Sequence, residues 1–191
     1  MPSPTPEPTL SAFAGFRRIA SGPRPEVIAR LREIEQADNG APPLVFDDLT
    51  GERLDLDLRA GAESAPAPGH CDDPVARGVG RPKLGVVARE VTLLPRHWDW
   101  LNRQPGGASV ALRKLVDEAR HVHADRDAQR AAREAAYRFM TAIAGDLPGF
   151  EEAARALFAG ERARFGDLIA AWPEDVVEQL RRLSAPAWSA A

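Results

Sequence analysis

Residues 60–80, AGAESAPAPGHCDDPVARGVG, are rich in alanine, proline and glycine and carry neither a helical nor a strand period. A stretch of this length with no apolar face does not sit inside one compact core. It reads as a flexible linker, so the chain must be built in parts on either side of it. On its amino side, residues 1–10 hold four prolines without apolar periodicity and read as a disordered tail. AFAGFRRIA then has β character through Phe13, Phe16 and Ile19, and Ser21-Gly22-Pro23 marks a turn. PEVIARLREIEQ places Val27, Ile28, Leu31 and Ile34 at helical spacing. PLVFDDLTGERLDLDLR reads as two strands around a loop at Asp48–Gly51, with Leu54, Leu56 and Leu58 alternating against a solvated side of Asp55 and Asp57. These patterns predict a β-α-β-β unit over 11–59.

Beyond residue 120 the period is helical throughout. RDAQRAAREAAYRFMTAIAG aligns Ala136, Phe139, Met140 and Ile143, and FEEAARALFAG aligns Phe150, Ala154, Leu157 and Phe158. ERARFGDLIAAW brings Phe165, Leu168, Ile169 and Trp172 together. Pro173-Glu174-Asp175 opens a last helix with Val176, Val177, Leu180 and Leu183, since proline and acids suit a first turn. Residues 121–191 are therefore expected to form a helical bundle. The fold class is α+β and mostly helical.

Between these parts, residues 81–120 follow a distinct plan, clearest in VTLLPRHWDWLNRQPGGASVALRKL from Val91 to Leu115. Arg89–Leu94 is a strand candidate, and Pro95 suits the first turn of a helix running to about Gln104. Leu94, Trp98 and Leu101 share one face, which predicts a core position for Trp98; Trp100 points elsewhere and is expected to meet the carboxy-terminal helices. Pro105-Gly106-Gly107 ends that helix, and Ser109 is the expected N-cap of a second one carrying Val110, Leu112, Leu115, Val116 and Ala119.

Strand, proline, short helix, Gly-x-Ser and longer helix resemble the ribbon-helix-helix family of bacterial DNA-binding proteins. In that family two chains pair their strands into a ribbon that enters the major groove, and the start of the second helix grips a phosphate. The resemblance implies a homodimer whose ribbon is Val87 to Leu94. Arg89, Glu90 and Thr92 would contact double-stranded DNA, with glutamate able to accept from a cytosine amino group. Gly107, Ala108 and Ser109 would hold the phosphate. The alternative is that this strand joins the chain's own amino-terminal sheet.

Charge leans toward nucleic acid. Residues 77–120 hold nine Arg or Lys against four Asp or Glu, a net of +5. The whole chain is −3, so the remainder is −8. A basic segment on an acidic protein is the electrostatic footprint that binding DNA requires. Just upstream, Gly80-Arg81-Pro82-Lys83 resembles the core of an AT-hook, which would send Arg81, beside Lys83, into a minor groove.

Other classes are excluded or unsupported. No apolar run approaches the roughly 20 residues of a membrane helix, and MPSPTPEPTLS lacks the regions of a signal peptide. A single cysteine, Cys71, rules out an internal disulfide and agrees with a cytoplasmic protein. No phosphate-binding loop, dinucleotide fingerprint or nucleophile elbow occurs. In HVHAD only His121 and Asp125 share a helix face, too few for a metal site. The expectation is a non-enzymatic DNA-binding protein, a transcriptional regulator without cofactor. The alternative is a protein-interaction or structural adaptor with a protein partner.

Over nearly its full length the chain also resembles a bacterial family known as domain of unknown function 2239. The matching text is AFAGFRRIASG, LVFDDLTGERLDLDLR, GRPKLGVVAREVTLLPRHWDWL, PGGASVALRKLVDEAR and YRFMTAIAGDLPGFEEAARALFAG. That resemblance implies that the segments belong together; it implies no activity.

Overall fold

The computed structural model of the chain describes residues 8–37, 42–58, 87 and 89–188. The elements are β1 (Thr9–Ala14), β2 (Arg17–Pro23), α1 (Arg24–Ala37), β3 (Leu44–Asp47), β4 (Arg53–Leu54), α2 (Pro95–Asn102), α3 (Gly107–Ala144), α4 (Phe150–Ala159), α5 (Arg162–Ile169), α6 (Glu174–Ser184) and a closing 3-10 turn at Ala185–Trp188. The fold is α+β, a small antiparallel sheet followed by helices. Two compact units divide within α3, between Val122 and His123. One takes in the described residues up to 58 together with those from His123 on, and the other those from Val87 to Val122.

In the first unit the strand order is β2-β1-β3-β4, all antiparallel. The single strand expected over 12–20 is a hairpin. A two-residue turn at Gly15–Phe16 reverses the chain, so the order is β-β-α-β-β rather than β-α-β-β. Leu10, Ser11, Ala12 and Phe13 are buried in succession, because β1 lies inside the sheet and both of its faces are covered. Leu10 and Ala12 pack with Val45 and with Val27 and Leu31 of α1. Phe13 faces the other way, into a cluster with Phe46 of β3 and side chains of α3–α6. β1 begins at Thr9, inside the stretch expected to be tail. β4 ends at Leu54, although Leu56 and Leu58 still pack against the smaller cluster.

The larger cluster centres on three aromatic rings. Phe13, Phe46 and Phe139 lie with centroids 6.1, 5.3 and 4.8 Å apart, all fully buried. Ala136 and Met140 of α3, Leu157 of α4, Phe165 and Ile169 of α5, and Val176, Leu180 and Leu183 of α6 complete it. Most side chains aligned by helical spacing are therefore core, while Phe158 stays 50% exposed and meets Tyr137 edge-on.

The loop between β3 and β4 is fixed by its own polar groups. Asp47 Oδ1 accepts the backbone N–H groups of Leu49 and Thr50, both at 2.8 Å. Gly51 follows at φ +66°, pressed so closely onto α3 that a Cβ would overlap the carbonyl of Ala135. Asp48 belongs to the interior, with its side chain only 5% exposed. Its Oδ1 accepts from Ser11 Oγ at 2.7 Å and from Gln179 Nε2 at 2.8 Å, and its Oδ2 meets Arg182 at 3.2 Å. This network ties β1 and the loop to α6.

Candidate nucleic-acid interface

The second unit is built around α2, the turn after it and the first half of α3. Leu94 enters α2 in an extended conformation (φ −66°, ψ 148°), as a residue before proline must. Pro95 occupies the first helical position, where a missing N–H costs nothing. The helix closes at Asn102, two residues earlier than expected. Arg103 and Gln104 N–H groups bond back to the carbonyls of Trp100 and Leu101, and Gln104 Nε2 also donates to Trp100. Gly106 (φ +87°) and Gly107 (φ +75°) then turn the chain through two successive left-handed residues, a path that favours glycine.

That turn moves the helix start. α3 begins at Gly107, so Ser109 lies inside its first turn and is not the N-cap. The reason is the second glycine, whose left-handed φ supplies the boundary that a serine cap otherwise would. The Gly107 N–H is already bonded to the Gln104 carbonyl at 3.0 Å. The next N–H groups, of Ala108 and Ser109, belong to the first turn, where helix geometry provides no acceptor. α3 is also a single helix of 38 residues, running through the boundary at 120–121 expected from the sequence.

Arg89, Glu90 and Thr92 are all exposed on the segment leading into α2. The strand expected there is not formed within the chain, because no ladder among the described residues includes any residue after Leu54. Among the described residues, none of this segment has joined the chain's own sheet. A two-chain ribbon takes its hydrogen bonds from a partner, so one chain alone contains none of them. Arg81 and Lys83 lie outside the described residues, as do Cys71 and the linker.

Burial departs most from expectation here. Of the face formed by Leu94, Trp98 and Leu101, only Leu101 is buried; Trp98 is 36% exposed and Leu94 50%. Trp100 is also half exposed. On α3, Leu115, Val116 and Val122 are exposed along one stripe, with Leu112 half-buried beside them. Sequence spacing marks such residues as one face but does not say whether their cover comes from the same chain.

Among the described residues no group of three or more His, Cys, Asp or Glu could hold a metal ion. No helix among them is long and apolar enough to cross a membrane. The chain belongs to the family described as an uncharacterized protein conserved in bacteria, DUF2239, which matches residues 9–184. Comparison with curated proteins and with solved structures gave no match.

Proposed function

We propose that the protein is a non-enzymatic, cytoplasmic DNA-binding protein that acts as a homodimer and regulates transcription. The observation that carries the reading is the exposure of five large apolar side chains of the second unit, Val91, Leu94, Trp98, Leu115 and Val116. Exposed apolar residues gathered in so short a segment mark an interaction surface. A second copy of the same segment would cover them while pairing the 87–94 stretches as a ribbon. Support also comes from the +5 charge of residues 77–120 in a chain of −3. In this reading Arg89, Glu90 and Thr92 contact DNA from the ribbon, Glu90 and Thr92 from one face and Arg89 from the other, and the turn at Gly107, Ala108 and Ser109 holds a phosphate, with Arg81 and Lys83 as a basic lead-in.

Gel retardation of duplex DNA at two salt concentrations tests it. Binding should fall steeply with salt, because neutralised phosphates release counterions. A folded protein that leaves DNA unretarded at the lower salt would refute the reading. A co-purifying protein partner bound regardless of DNA would then favour an adaptor.

A further inference from the structure

The carboxy-terminal part of α3 carries a second basic feature, outside the segment just discussed. Arg126, Arg130 and Arg133 are spaced i, i+4 and i+7, and His123 precedes them by three, so all four share one face of the helix. Together with Asp127 and Gln129 they line an open groove of about 450 Å³. With histidine neutral, three arginines against one aspartate leave this site at +2.

Its charges are incompletely matched. Asp127 is bonded to Arg130 at 2.8 Å, but both side chains are more than half exposed, so the pair holds weakly in water. Arg126 has no carboxylate within ion-pair distance among the described residues. Arg133 is anchored by a 3.4 Å bond from one guanidinium nitrogen to the carbonyl of Ala187, while its Nε is buried with no partner. Three arginines along one open groove, with Arg126 free of a carboxylate partner among the described residues and a surplus of positive charge, suit a phosphate group.

We infer that His123, Arg126, Arg130 and Arg133 form an anion site for the phosphodiester backbone of DNA. The site belongs to the first unit, whereas the 87–94 stretch and the Gly107 turn belong to the second. The choice of DNA rests on the function proposed above; the phosphate chemistry of the site does not.

The test uses full-length protein, a mixed-sequence duplex and a series of salt concentrations. Arg126→Gln/Arg130→Gln is compared with Arg155→Gln/Arg164→Gln, which removes two exposed arginines that sit in local pairs elsewhere. Each neutralised phosphate contributes about 0.9 to the slope of log affinity against log salt. The first variant should therefore flatten the slope by about 2 and the control should not. Equal slopes for wild type and both variants, with DNA bound, would overturn the inference while leaving the proposed function standing. If wild type fails to bind DNA, the proposed function falls and tripolyphosphate becomes the probe. Thermal stabilisation of wild type, lost in Arg126→Gln/Arg130→Gln, would retain the phosphate site and remove DNA as its ligand. No stabilisation of wild type, or equal stabilisation of both, would overturn the site altogether.

Discussion

Gly51 and Gly107 both hold positive φ, yet different neighbours give them different sensitivities. A side chain at Gly107 meets nothing within 4 Å, so Gly107→Ala should cost about 1 kcal/mol, the penalty of the left-handed conformation. At Gly51 the same penalty adds to a collision with the Ala135 carbonyl, which belongs to helix backbone and cannot swing aside. Gly51→Ala should therefore cost about 3 kcal/mol or more. Urea denaturation of the two variants checks the order, and equal midpoints would contradict this account. Because Ser109 is not a cap, Ser109→Ala should change stability by less than about 0.5 kcal/mol. A loss near 1 kcal/mol would instead mean that the serine caps α3 in solution. Arg89→Ala should leave folding intact, since its side chain is exposed, and should flatten the salt dependence of DNA binding by about one unit.

At the scale of elements, the join between β1, the β3–β4 loop and α6 depends on polar groups as well as apolar packing. Gln179 is fully buried on a helix whose other inward positions are mainly Val176, Val177, Leu180 and Leu183. Its amide donates to Asp48 Oδ1, which also receives Ser11 Oγ. Gln179→Leu leaves the Asp48 carboxylate short of a donor, and Asp48→Ala leaves Gln179 Nε2 short of an acceptor while Ser11 Oγ keeps only its longer contacts to Ser21 Oγ and Gln179 Oε1. Each should cost about 1–3 kcal/mol, the penalty for stranding a buried polar group. The double variant should cost less than the sum, because both remove one interaction. A thermodynamic cycle by denaturant titration reads this coupling directly. Additive losses would mean that the network is not cooperative.

For the whole molecule, the decisive property is the number of chains. If a second copy covers Trp98 and the α3 stripe at Leu115 and Val116, light scattering on a sizing column should return twice the monomer mass. Val116→Glu should shift it to monomer and weaken DNA binding at least tenfold, because an unpaired charge would have to be buried in the interface. Val116 is 55% exposed in the single chain, so the same change should leave the first unit's folding unaffected. A Val116→Glu variant that stays dimeric would exclude this stripe as the interface.

The helical period determined which side chains of α3, α5 and α6 face inward. Phe139, Met140, Phe165, Ile169, Leu180 and Leu183 are buried as their spacing requires, because a helix presents residues three and four apart on one side. Pro95 and the Pro105-Gly106-Gly107 run likewise determined that a short helix lies between them, since both residue types restrict or release φ locally. Non-local partners decided the rest. Whether AFAGFRRIA runs straight or folds at Gly15 depends on what pairs with each arm, and β1 bonds to both β2 and β3. Asp48 reads as a loop acid until α6 brings Gln179 and Arg182 to it from more than 130 positions away. Trp98 has the spacing of a core residue, but burial is a property of neighbours, and within one chain nothing covers it fully. Local conformation is written in local sequence, whereas the covering of a surface is supplied by distant residues or by another chain.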